Sequence, residues 1–163
     1  MGVAPHGKSG RMRKQPYCPM LAAMELAEAG LRYRMRRALR QIGDQHRQLR
    51  EIHDGLGAAI ASGERRDARD AFVRYQHAIG AHFELEDQVF FPALHGLHPE
   101  EREGLEALGR DHGVLIAALQ RLAPLLGESA LERFGAALDA FRRDLAQHEQ
   151  REEALVSRIA GES

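Results

Sequence analysis

The sequence predicts an all-α protein: an up-down-up-down antiparallel four-helix bundle with an N-terminal extension containing a short helix. Three observations predict it. Ala, Leu, Arg and Glu dominate the 163 residues, with six prolines, no tryptophan and few β-branched residues, a composition that favours helix. Apolar residues recur at alternating spacings of three and four along four long stretches, the period of one buried helix face. The breaks between the stretches are short and carry Gly, Pro or Ser, which suits antiparallel neighbours. No strand pattern competes. A chain of this length can bury ~70% of its unfolded surface, enough for one real core.

Residues 1–16 (MGVAPHGKSGRMRKQP) are basic, rich in Gly and Pro and without apolar periodicity; they read as a flexible arm. The arm holds a literal P-loop string, Gly2-x4-Gly7-Lys8-Ser9, but only Met1 precedes it. That string needs a strand before it and a helix after it, so here it is a coincidence. Residues 19–29 read as a short helix opened by Pro19 and weakened or interrupted at Gly30. Residues 1–30 are thus an arm with a short helix, and 31–163 the bundle.

The first long helix is expected over 32–61, with Leu39, Ile42, Leu49, Leu56 and Ile60 inward and Ser62-Gly63 at its end. Its apolar series has gaps at 46 and 53, filled by His46 and His53. The second, over 65–94, turns Phe72, Tyr75, Ile79, His82, Glu86, Val89 or Phe90, and Ala93 inward, with Pro92 in its last turn. After the loop HGLHPEE, Pro99 with Glu100 and Glu101 starts the third. That helix reads Leu105, Leu108, His112, Leu115, Leu119, Leu122 and Leu126, and Gly127 closes it. The fourth, over 129–160, reads Phe134, Leu138, Phe141, Leu145, His148, Glu152, Leu155 and Ile159.

Charge and composition narrow the function classes. Net charge is −1, but residues 1–40 carry nine basic against two acidic side chains, or +7, and the remainder −8. A basic arm could touch an anionic partner. No aromatic interleaving or nucleic-acid motif accompanies it, so a solvated tail is the expectation and a nucleic-acid partner is not. No apolar run approaches the ~18 residues of a membrane span, and no secretory leader opens the chain, so no membrane association is expected and the reading is cytoplasmic. The single cysteine, Cys18, excludes an intramolecular disulfide framework and is compatible with a reducing compartment.

Every long helix carries ionisable residues in its apolar register: His46, then His82 and Glu86, then His112, then His148 and Glu152. The spacing of four in each His–Glu pair puts both side chains on one helix face, one turn apart. Burying one unpaired carboxylate costs several kcal/mol. Two carboxylates with four imidazoles call for a compensating positive charge, and a metal centre supplies it. All six lie near mid-helix, so antiparallel packing can bring them to one height. Six ligands are too many for one tetrahedral zinc; they suit two metals bridged by carboxylates, with iron or manganese favoured by the donor types.

With these residues the chain resembles the hemerythrin-like, or HHE cation-binding, family. The resemblance runs through His46 in DQHRQL, His82 and Glu86 in HFELED, His112 in RDHGVL, and His148 and Glu152 in HEQREE. It covers about residues 35–160. It implies two iron ions with an oxo or hydroxo bridge, manganese or a mixed pair being the lesser alternative. It also implies a small ligand such as O2, peroxide or NO. Two positions depart from the oxygen-carrying members. Ile116 stands where they have a second histidine on the third helix. Glu152 follows its His by four residues, with Glu153 next, where they have an Asp five residues on. The pattern is similar to the bacterial 4-His, 2-Glu variant, in which both irons would keep an open position. That puts redox reaction with O2, peroxide or NO on a level with reversible carriage.

Other residues belong to the neighbourhood. His53 lies one heptad past His46, about 10 Å along the axis, and is expected to line a pocket rather than to ligate. Tyr75 also faces inward and could hydrogen-bond a bound ligand, although a packed core tyrosine is the default. Asp44, Asp87, Asp111 and Glu153 neighbour the ligand positions in sequence, and some could hold the second ring nitrogen of a ligand histidine. The expected function is a non-haem di-iron protein that binds or senses O2, peroxide or NO. The alternative is an iron- or redox-responsive module whose metal state controls a protein-partner contact or stability. A homodimer is compatible with either, and the sequence leaves carrier, sensor and enzyme undivided.

Overall fold

The computed structural model describes residues 19–127 and 131–161. The P-loop string and Cys18 lie outside the described residues. Five α-helices follow in order: α1 (Pro19–Ala61), α2 (Arg65–Leu85), α3 (Phe91–Leu97), α4 (Arg102–Leu122) and α5 (Leu131–Gly161). A π-helical turn, Glu86–Phe90, joins α2 to α3 without a break, so the three pieces form one arm. Short 3-10 turns, Pro99–Glu101 and Ala123–Leu126, flank α4. Helix α1 packs on α2 and α5, α4 packs on α2 and α5, and the ring closes as the expected bundle. No strand occurs among the described residues.

Three expectations need correction. The chain does not break at Gly30: α1 is one helix of 43 residues. A mid-helix glycine costs only ~1 kcal/mol relative to alanine, and the Arg32 guanidinium bridges the position by donating to Glu28 Oε1 at 2.8 Å. Leu39 does not face inward; it is 37% exposed, whereas Ala38 and Ile42 are buried. Spacings of four from 38 through 42 to 46 follow the 3.6-residue helix rather than a strict heptad. The third helix stops at Leu122, not Gly127. Pro124 has no N–H to continue the ladder, and the chain tightens into the 3-10 turn that ends with Gly127 N–H donating to Pro124 O at 2.9 Å.

The π-turn has a similar cause. An α-helical Pro92 would set its ring against the carbonyl of residue 88. Widening the preceding turn relieves that clash, and Phe91 N–H reaches back five residues to Glu86 O. The extra residue lets both Phe90 and Phe91 reach the core and settles the Val89-or-Phe90 ambiguity: Phe90 is fully buried and Val89 packs at the edge. Between α1 and α2, Gly63 takes φ 77°, the left-handed conformation that glycine adopts without penalty.

The core falls into two apolar clusters. One gathers Leu49, Leu56, Phe72, Ile79, Leu119, Phe134 and Leu138. The other gathers Ala38, Ile42, Phe90, Leu94, Leu108, Leu155 and Ile159. On every arm the polar positions 46, 82–86, 112 and 148–152 fall between the members of the two clusters. A polar layer therefore crosses the bundle at mid-height.

Candidate metal centre

Antiparallel packing makes four histidines meet at this layer. Nε2 of His46 on α1 lies 3.2 Å from Nε2 of His82 on α2. Nε2 of His112 on α4 lies 3.0 Å from Nε2 of His148 on α5. Glu86, in the π-turn, stands between the pairs: Oε1 is 3.3 Å from His82 Nε2 and Oε2 is 3.2 Å from His112 Nε2. Two three-residue groups result, His46–His82–Glu86 and Glu86–His112–His148, each with its donor atoms within 4.8 Å of one another. Glu86 belongs to both, one oxygen toward each.

Burial makes this arrangement costly without a cation. His82, Glu86 and His148 are 0% exposed. Both Glu86 oxygens and Nδ1 of His82 and His148 have no hydrogen-bond partner. Burial, then the neighbouring His46, His112 and His148, push the His82 pKa down to about 3. His148 is lowered by burial and by His112. Glu152 is buried, and burial followed by the nearby Glu86 charge raises its pKa far above the usual carboxylate range. Rings held neutral and a carboxylate with unpaired oxygens are the donor chemistry that a cation takes. The residues present fit a metal. Glu152 joins neither three-residue group and adjoins them beside Glu86.

A carboxylate lies behind each ring of the second group. Asp87 Oδ1 accepts from His112 Nδ1 at 2.9 Å. Asp111 Oδ2 is 3.7 Å from His148 Nδ1 and is itself held by Arg151 Nη1 at 2.8 Å. The Asp87 hydrogen bond fixes the tautomer and orientation of the His112 ring. Of the four acids that neighbour the ligand positions in sequence, Asp87 hydrogen-bonds a ring nitrogen and Asp111 faces one at 3.7 Å. Asp44 instead pairs with Arg47 on the surface, and Glu153 is exposed. Phe83 stacks on His112 with ring centroids 4.0 Å apart and fixes that ring from its face.

The His46 side is more open. His46 is partly exposed because it borders a cavity of about 140 Å3, also lined by Arg50, His53, Tyr75, Arg142 and Glu149. His53 and Tyr75 line this cavity, with ring centroids 5.8 Å apart. Burial lifts the Tyr75 pKa to about 12, with Glu149 adding to the rise. Ile116 is half-buried against the apolar cluster that includes Leu49, Phe72 and Leu119. Sequence reasoning missed Arg50, Arg142, Glu149 and Arg151. A signal existed: His46, Arg50 and His53 share one face of α1, and Arg142 and Glu149 are a heptad apart on α5.

A four-helix bundle with a buried His/carboxylate layer defines a cation-binding helical protein. The chain belongs to the hemerythrin family: residues 37–160 match the hemerythrin HHE cation-binding domain. Neither a curated protein nor a solved structure matches it. Among the described residues no helix is long and apolar enough to cross a membrane.

Proposed function

We propose that the protein is a non-haem di-iron protein that binds or senses O2 or a related small molecule, peroxide or NO. One observation carries the reading: Glu86 is shared by two groups of donors, each completed by two imidazoles. His46 and His82 would hold one iron and His112 and His148 the other. Glu86 would bridge them, and Glu152, beside Glu86, would be the second carboxylate. Manganese or a mixed pair suits the same donors less well. The iron pair would supply redox chemistry and open coordination positions to the small ligand. The protein's own part is to fix the His112 imidazole through Asp87, exclude water with Phe83 and Phe90, and leave an approach past His46. A cytoplasmic location accords with this reading.

Metal analysis joined to an optical spectrum tests it. Two irons per chain and a near-ultraviolet band that changes with O2, NO or azide are expected. Purified protein that takes up no iron, and whose melting temperature ignores added iron, would sink the proposal.

A second reading is a regulatory module whose metal state governs a partner contact, in trans or within a homodimer. It is favoured by the solvent-facing start of α1, where Met24, Leu26 and Tyr33 are 62%, 74% and 58% exposed. Limited proteolysis with and without iron separates the readings, and identical digestion patterns would count against the module.

A further inference from the structure

The cavity beside His46 has more chemistry than an approach path needs. His53 is 9% exposed, and neither ring nitrogen has a hydrogen-bond partner. The nearest acid oxygen, Asp54 Oδ1, is 3.6 Å from Nδ1, beyond hydrogen-bonding reach. A buried imidazole without a partner asks for a ligand. Burial, then the Arg142 charge, lowers its pKa, but a neutral ring still carries one N–H to donate. Two guanidinium groups, Arg50 and Arg142, line the same walls against one acid, Glu149. Asp54 and Asp139 also act on His53 electrostatically, but neither lines the cavity. The space of about 140 Å3 holds several waters or one small anion.

We propose that this cavity is a binding site for a small carboxylate, held by the Arg50 and Arg142 guanidinium groups and by hydrogen bonds from His53 and Tyr75. The fit is chemical. A planar guanidinium fork matches the two oxygens of a carboxylate. His53 supplies a donor inside the cavity, where it competes least with water, and Tyr75 closes the inner wall. Leu49, Leu145 and Ala146 complete the lining and would accept a hydrogen or methyl substituent. None of these residues is a proposed metal ligand, so the site stands without the di-iron reading. A carboxylate bound there would lie against His46.

Thermal melts of the protein as purified, with metal content measured in each sample, test this. Sodium formate is titrated against sodium chloride at fixed ionic strength. A saturable, formate-specific rise in melting temperature is expected, and it should persist after chelation of metal. Arg142→Gln and His53→Leu should each weaken the apparent formate affinity at least ten-fold, whereas Arg69→Gln, exposed on α2 and away from the cavity, should not. If His53→Leu misfolds, Arg50→Gln with Arg142→Lys takes its place, and a weaker formate response is again expected. Equal effects of formate and chloride would overturn the proposal. So would wild-type formate affinity in the cavity variants. A response that vanishes on chelation would place formate on the metal instead and would also overturn it.

Discussion

Replacing Glu152 by glutamine should act in opposite directions with and without metal. Glu152 is 6% exposed and lies beside the Glu86 carboxylate. In the folded, metal-free chain it stays protonated at pH 7, whereas in the unfolded chain it ionises near 4.5. Folding at pH 7 must therefore return a proton across ~2.5 pH units at ~1.4 kcal/mol each, a cost of about 3 kcal/mol. Glutamine removes that cost and introduces a buried amide, which costs about 1 kcal/mol if imperfectly bonded. The net gain is about 2 kcal/mol, or ~4–8 °C in melting temperature for a chain of this size. With metal bound, the same change removes an anion from beside the cation and should lower metal affinity. Circular-dichroism melts in chelator and a metal-competition titration measure the two halves. A lower melting temperature in chelator would refute the electrostatic reasoning. Unchanged metal affinity would show that Glu152 is no ligand.

Asp87→Asn should weaken metal binding by ~10–100-fold, because His112 loses the carboxylate that fixes its ring; a competing chelator reads the affinity, and no change would mean that Phe83 alone holds the ring. In the metal-free chain, stability should fall as pH drops below 6.5. His82 has a folded pKa of about 3 against 6.5, so within that window the unfolded chain binds the extra proton and stability rises with pH. His148 and His53 act in the same direction and Glu152 and Glu149 in the opposite one, so three imidazoles outweigh two carboxyls, and Glu152→Gln should steepen the slope. Urea midpoints at pH 7 and 5 give the measurement, and equal midpoints would contradict it. Pro92→Ala restores the missing N–H and removes the reason for the π-turn; metal affinity should fall while the metal-free melting temperature holds or rises, and unchanged affinity would show that Glu86 does not depend on that turn. Phe90→Ala, at a fully buried position, should cost ~3–5 kcal/mol by chemical denaturation.

The all-α fold and its four arms could be read from the sequence because apolar spacing reports burial directly. His82, Glu86, His112 and His148 stood out for the same reason: each interrupts a series of Leu and Phe. What failed was local. Gly30 looks like a stop, but nothing around it demands one, so the α-helix runs through. Leu39 fits a heptad, but the helix turns at 3.6 residues and puts Ala38 inward instead. Pro92 signalled a disturbance without saying which, since relief by kinking and relief by a π-turn leave the same sequence. Arg142 and Glu149 escaped notice because they flank the buried stripe of α5, where a charged side chain ordinarily meets solvent.

The polar layer explains why the site is uneven. A layer that separates two apolar clusters must satisfy every group in it or leave it unpaired. Asp87 satisfies the His112 ring from outside, and Asp111 stands 3.7 Å from His148 Nδ1. Nδ1 of His82 and of His148 and both Glu86 oxygens have no hydrogen-bond partner, and His46 is partly exposed to the cavity. His112, with Asp87 on its Nδ1 and Phe83 on its face, is therefore held in place by the protein, whereas the partly exposed His46 depends more on what it binds. Where ring orientation is already fixed, binding needs little ordering. Where it is not, the ligand must order the ring, and the neighbouring cavity gives solvent and small molecules a way to reach it. In the proposed centre His112 would thus be the fixed end and His46 the end open to a small ligand, with Glu86 shared between the two donor groups.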